Sequence, residues 1–94
     1  MRILWLRAAE RNLEEQIEYI GERNLRAANT LADKIAASVA RLADRSHRGR
    51  SGRVAGTREL VVPGTPYIVV YVVGADYVRI HRVLHDAQRW PPRR

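Results

Sequence analysis

The chain contains no cysteine, so neither a disulfide framework nor a thiolate metal site braces it. It also lacks a long hydrophobic run. The opening MRILWLRAAERN is interrupted by arginine too soon for a signal peptide or a membrane span, and the expectation is a soluble, cytoplasmic protein. Lysine is nearly missing: of 17 basic residues, only Lys34 is not arginine. Acidic residues are scarce in one half alone. Residues 1–44 carry seven basic and seven acidic side chains, whereas residues 45–94 carry ten and three, so the whole excess of +7 lies in the second half. A GC-rich genome would account for arginine over lysine but not for that asymmetry, which points to a positive face meeting a negative partner: RNA, DNA or an acidic protein.

With 94 residues and a 46% apolar fraction, one globular domain is expected, and no internal repeat divides it. MRILWL alternates apolar residues with Arg2 and reads as a short first strand. Leu6, Ala9, Leu13, Ile17 and Ile20 then recur at three- and four-residue steps, as on one helix face, with Gly21 and Asn24 marking the stop. A second helix starts near Arg26, striped by Ala28, Leu31, Ala32, Ile35, Val39 and Leu42, and its alanines suit a close antiparallel hairpin. RSHRGRSGR (45–53) has no hydrophobic period and reads as a basic loop. Three β-branched runs follow, Thr57–Val62, Tyr67–Val73 and Tyr77–Leu84, separated by PGTP and GAD. The fold class expected is therefore α+β: a short N-terminal strand, an antiparallel helical hairpin, then a three-stranded antiparallel meander joined by the first strand.

Alternation on the last strand puts Val78, Ile80 and Leu84 toward the helices and Arg79, His81, Val83 and His85 on the other face. Arg82 has the core parity and breaks the pattern; it is paired, displaced by a bulge, or at an edge in a site. RVLHDAQRWP (82–91) gathers Arg82, His85, Asp86, Arg89 and Trp90. Cleavage of RNA by 2′-hydroxyl attack needs a base, an acid and cations for the phosphorane charge, which His85, Arg79, Arg82 and Arg89 could supply. Against this, His85 and Asp86 point to opposite faces for as long as the strand continues. His81 and His85 are four apart, which on a strand separates them by about 13 Å, so they cannot share an ion. Neither metal nor cofactor is expected. The glycines of 45–53 are not followed by Lys-Ser or Lys-Thr, so there is no P-loop, although Arg45, Arg48, Arg50 and Arg53 could grip phosphates. Tyr67 and Tyr71 share a face; as a base-stacking platform they would need exposure, and sheet packing is the plainer reading. Trp90 before Pro91 either pins the tail or anchors a partner.

Together, LWLRAAERNLEEQIEYI, GRVAGTRELVVPGTPYIVVYVV and VRIHRVLHDAQRWP resemble the RelE/ParE superfamily of toxins from bacterial type II toxin–antitoxin systems. The resemblance implies one of two activities. RelE-like toxins cut mRNA in the ribosome, with a catalytic arginine just after the tyrosine that opens the middle strand; here that place holds Ile68. Their C-terminal catalytic tyrosine or histidine falls near Trp90, and an indole is neither acid nor base. Arg58 and Arg82 stand for other basic positions, so that His85, Arg82, Arg58 and Arg79 are the set the resemblance implies for a nuclease, an incomplete one. ParE-like toxins poison DNA gyrase, and VLHDAQRWP is similar to the ending of some of them, although Ala87 stands where many have arginine. The resemblance therefore favours docking on gyrase through Arg82, His85, Arg89 and Trp90, with the mRNA endonuclease on the ribosome as the alternative. A third reading is a degenerate toxin that only binds its antitoxin. The family also implies an acidic antitoxin that folds on binding, for which Arg48, Arg50, Arg53, Arg58, Tyr67 and Tyr71 are the expected contacts. The toxin alone is not expected to read DNA sequence.

Overall fold

The computed structural model describes residues 1–92. In chain order the elements are β1 (Arg2–Trp5), α1 (Arg7–Gly21), α2 (Leu25–Arg41), β2 (Arg50–Ser51), β3 (Arg58–Val61), β4 (Tyr67–Val73) and β5 (Tyr77–His85). The five strands form one sheet in the order β1-β5-β4-β3-β2. β1 lies parallel to β5, and every other pair is antiparallel. The α+β arrangement read from the sequence is present, with one addition. The basic stretch 45–53 is not all loop, because Arg50 and Ser51 pair with Glu59 and Arg58 as an edge strand. Two residues have no period to read, and what holds them is the side chain of Glu59.

The helices form where the three- and four-residue spacing requires them. Asn24 serves both helices: its N–H donates to the Ile20 carbonyl at 2.7 Å where α1 ends, and its side chain caps α2 by accepting the Ala27 N–H at 3.0 Å. The close approach of the hairpin is made by small residues, and a Cβ placed on Gly21 would lie 3.6 Å from that of Ala28. Leu13, Ile17 and Ile20 of α1, with Leu31, Ile35 and Val39 of α2, cover Leu60, Tyr67, Val69, Tyr71, Val78, Ile80 and Val83 of the sheet. Gln16 ties α1 to the last strand by donating to the Val83 carbonyl at 2.7 Å.

The face assignment along β5 needs correction. Tyr71 pairs with Ile80 but Val70 pairs with Arg82, so His81 is an extra residue, a bulge. Beyond it the parity reverses. Val83 enters the helix-covered core, and Leu84 instead opposes Ile68 on the far face of the sheet. His85, opposite Tyr67, comes round to the helix side. The bulge is thus the explanation of Arg82: it opposes Val70 on the open face, away from the helices, and its charge does not enter the helix-covered core.

Candidate functional site

The bulge brings Arg79 and Arg82, three residues apart, onto the same open face of the sheet. An uninterrupted strand would have pointed them to opposite sides. Arg79 Nε donates to His81 Nε2 at 3.0 Å, and Arg82 Nη1 donates to the His81 carbonyl at 2.6 Å. Accepting from Arg79 requires an unprotonated Nε2. Burial first, and then the charges of Arg79 and Arg82, push the His81 pKa down and keep the ring neutral. The guanidinium of Arg82 also lies 5.8 Å from the ring centre of Trp90, so the tail returns beside the bulge. Trp90 Nε1 is buried and has no hydrogen-bond partner among the described residues.

Across the same face, Glu59 opposes Val70 and is 2% exposed. Arg53 gives it a backbone N–H at 2.8 Å and a guanidinium contact at 3.0 Å, and Arg50 approaches to 3.2 Å. Burial alone would raise its pKa; the side-chain and backbone bonds from Arg53, then the bond from Arg50, outweigh it and bring the carboxyl down to about 2. Two arginines on one carboxylate leave a surplus positive charge.

His85 ends β5, and the chain leaves the sheet there, as a His85–Asp86 contact requires. The residues do not assemble as a base with its orienting acid, however. His85 Nδ1 accepts the Ala87 N–H at 3.0 Å, and Asp86 Oδ1 lies 3.2 Å from that same nitrogen. One lone pair cannot accept the amide while the same atom donates to the carboxylate. Gln88 caps the turn by accepting the His85 N–H at 2.8 Å, and the His85 ring meets Tyr67 edge-on at 5.3 Å.

The remaining candidates scatter. Arg58 lies on the helix side opposite Tyr71 and donates to the Gly49 carbonyl at 2.8 Å, holding the 45–49 loop. Tyr71 is 0% exposed and its hydroxyl accepts the Gly49 N–H at 2.8 Å. That is sheet packing, and it corrects any expectation that Tyr71 presents its side chain to a partner. Arg48 edges a polar hollow with Arg41, Asp44 and Arg45, and Arg89 is exposed in the tail. Ile68 is buried among its strand neighbours, where no phosphate reaches it. Of the antitoxin candidates, Tyr67 alone borders a groove of roughly 540 Å³ between the hairpin and the 64–66 turn, lined by Ile20, Ala27, Leu31, Lys34 and Thr65. The groove has no sequence signature because its walls come from three segments, and the bulge, one of the readings that Arg82 allows, is not located at His81 by any residue pattern.

The fold and these surfaces define a class before a family: a small α+β protein with a basic open sheet face on one side and an apolar groove on the other. Comparison with known proteins supplies the family. Residues 3–90 match the family model described as "ParE toxin of type II toxin-antitoxin system, parDE". The chain is 40% identical over 90 residues to a protein of Sinorhizobium fredii (strain NBRC 101917 / NGR234) named "Putative toxin Y4kP", covering 96% of this chain and 93% of that one. Its fold is similar to a solved structure titled "Chromosomal ParDE TA system from P. aeruginosa", with a TM-score of 0.81 at 22% identity, over 90% of this chain and 95% of the other. The chain belongs to the ParE toxin family of type II toxin–antitoxin systems.

Proposed function

We propose that this toxin arrests growth by docking on DNA gyrase in the cytoplasm and that a cognate acidic antitoxin neutralises it, rather than that it cleaves mRNA on the ribosome. The observation that carries this reading is the dispersal of the residues a nuclease would need. Arg79 and Arg82 lie on the open face, whereas His85 and Arg58 lie on the helix side. His85 and Arg58 are also two strands and four residues apart in register, on the order of 15 Å. General acid–base catalysis needs its groups within hydrogen-bond reach of one reacting centre.

Arg82, Trp90, Arg89 and His85 border one end of the sheet and form the surface we assign to the gyrase contact. The apolar groove beside Tyr67, with Lys34 and Arg26 among its lining residues, suits an acidic segment that folds as it binds. Purified toxin should inhibit supercoiling by gyrase, and antitoxin should relieve that inhibition. In parallel, ribosomes programmed with a defined mRNA should show no toxin-dependent cut by primer extension. Cleavage within the A-site codon, with supercoiling untouched, would replace this reading with the endonuclease. Harmless expression without antitoxin, with both assays silent, would leave only antitoxin binding.

A further inference from the structure

Of the charges on the open face, gyrase docking at one end of the sheet uses only Arg82. Arg2 on β1, Arg79 and Arg82 on β5, and Arg50 with Arg53 at the β2 edge all lie there, against one acid, Glu59, on the paired strands of the described residues. From β1 to β2 the row crosses four strand spacings, roughly 19 Å. Arg79 and Arg82 sit two residue steps apart in register, about 7 Å. They are braced by His81, through its ring and its carbonyl, and no carboxylate engages them among the described residues.

We infer that this arginine row binds the sugar-phosphate backbone of duplex DNA, independently of sequence. The alternatives fit the face less well. A segment that folds on binding must bury apolar anchors to offset its ordering. Here Ile68, Val70 and Leu84 are already buried, the exposed Leu4 and Val61 stand three strands apart on β1 and β3 rather than as one patch, and the apolar groove is on the other side of the molecule. A single strand would look for aromatic platforms on which to stack its bases. Tyr67 and Tyr71 are turned into the core, the Trp90 ring is engaged by Arg82, and Tyr77, which shares this face with Arg2, has the Arg79 guanidinium 5.6 Å from its ring centre, so no row of free rings is offered among the described residues. What remains is a fixed row of donors without a base-reading element, which suits the regular phosphates of a duplex, with about one charge per 1.7 Å of its axis. The inference goes beyond the gyrase reading, since it requires no gyrase, and it is compatible with a toxin that does not read sequence.

The test is fluorescence anisotropy with the full-length toxin and a labelled 20-base-pair duplex of arbitrary sequence, titrated from about 50 to 200 mM salt. Five arginines less one carboxylate give a log–log slope of about −3 to −4, on the order of a 100-fold loss of affinity over that range. Arg79→Gln and Arg82→Gln should each reduce the slope by about one, with little dependence on the duplex chosen. Arg11→Gln, on the exposed face of α1, should leave it unchanged. Arg2→Gln repeats the test on an exposed side chain outside the bulge and guards against misfolding of the other two. No binding at 50 mM salt, or an unchanged slope in a folded Arg2/Arg79/Arg82 triple variant, would overturn the inference. Tighter binding of single-stranded RNA than of duplex would overturn it in favour of an RNA ligand. Duplex binding by a toxin that leaves supercoiling intact would support the inference while sinking the gyrase reading, so the two fail separately.

Discussion

The hydroxyl of Tyr71 accepts the backbone N–H of Gly49 at 2.8 Å and so ties the middle of the sheet to the basic loop. Burial is the leading influence on Tyr71 and raises its pKa, so this hydroxyl remains protonated through the neutral range. The approach leaves no room for a side chain on the loop: a Cβ on Gly49 would sit 2.7 Å from the hydroxyl and 2.9 Å from the Glu59 carbonyl. Gly49→Ala should therefore cost about 1–3 kcal/mol. For a domain of this size that lowers Tm by several degrees, about 4–8 °C per kcal/mol. Tyr71→Phe should cost a similar amount by leaving a buried N–H unpaired. Thermal denaturation followed by circular dichroism checks both, and an unchanged Tm in either would mean that the loop is not held there.

Glu59 should give the stability a pH dependence with a definite window. Its carboxyl is held at about 2 in the folded chain against an ordinary 4.5. The unfolded chain therefore binds the proton first as the pH falls, and the stabilisation is complete above about pH 5 and is lost as the pH drops toward 2. The size is on the order of 3 kcal/mol. Glu59→Gln should be less stable at pH 7 and should show a flatter stability curve between pH 5 and 2. Parallel urea titrations of the two proteins, falling with the same slope across that window, would contradict the assignment.

How much of this was legible in the sequence depended on whether a feature repeats. Two helices and four strands follow from periods of 3.6 and 2, and Ile3, Leu31, Val69 and Val78 are where those periods place them. His81 has no such signal. Arg82 at core parity in VRIHRVLH admits a bulge as one of three readings but does not place the extra residue, which reverses the faces of Arg82 through His85 and decides which arginines share a surface. Arg50–Ser51 was unreadable for a related reason, since that strand depends on Glu59, a contact across the fold. Asn24 marks the end of α1 as its sequence position implies, and its second role, capping α2, is not separable from the first because one residue type suits both. At the candidate site, Arg82 and Trp90 were brought together by sequence proximity, and Arg79 joined them only through the bulge.

The groove between the hairpin and the 64–66 turn can be tested apart from the open face. Ala27 is exposed, lines the groove, and occupies the first turn of α2 where the Asn24 side chain caps its N–H. Acidic residues are favoured there by the helix dipole, so Ala27→Glu should leave stability unchanged or slightly raised. An acidic antitoxin segment entering the groove would meet a like charge. The expected result is at least a tenfold weaker complex by calorimetry, about 1.4 kcal/mol, with supercoiling inhibition by the free toxin unaltered. Unchanged antitoxin affinity would move that contact elsewhere on the toxin.

His85 separates docking from catalysis by magnitude. A general base contributes typically 10²–10⁴-fold, and its loss would silence the toxin in practice. A partly exposed side chain at the edge of an interface contributes about 1 kcal/mol or less, a factor of roughly five. Its Nδ1 is already occupied by the Ala87 N–H, and it stands apart from Arg79 and Arg82 across the sheet. His85→Ala should therefore raise the toxin concentration needed for half-inhibition of gyrase by less than tenfold, with the same maximal inhibition and with growth still arrested on induction. Arg82→Ala, which removes the cation beside Trp90, should cost more. Arg58→Ala should act through the loop instead: it loses the bond to the Gly49 carbonyl, lowers Tm, and leaves the inhibition curve where it was at temperatures at which the protein is folded. If His85→Ala and Arg58→Ala both abolished toxicity while remaining folded and antitoxin-bound, residues this far apart would have to meet at one substrate, and docking could not account for it.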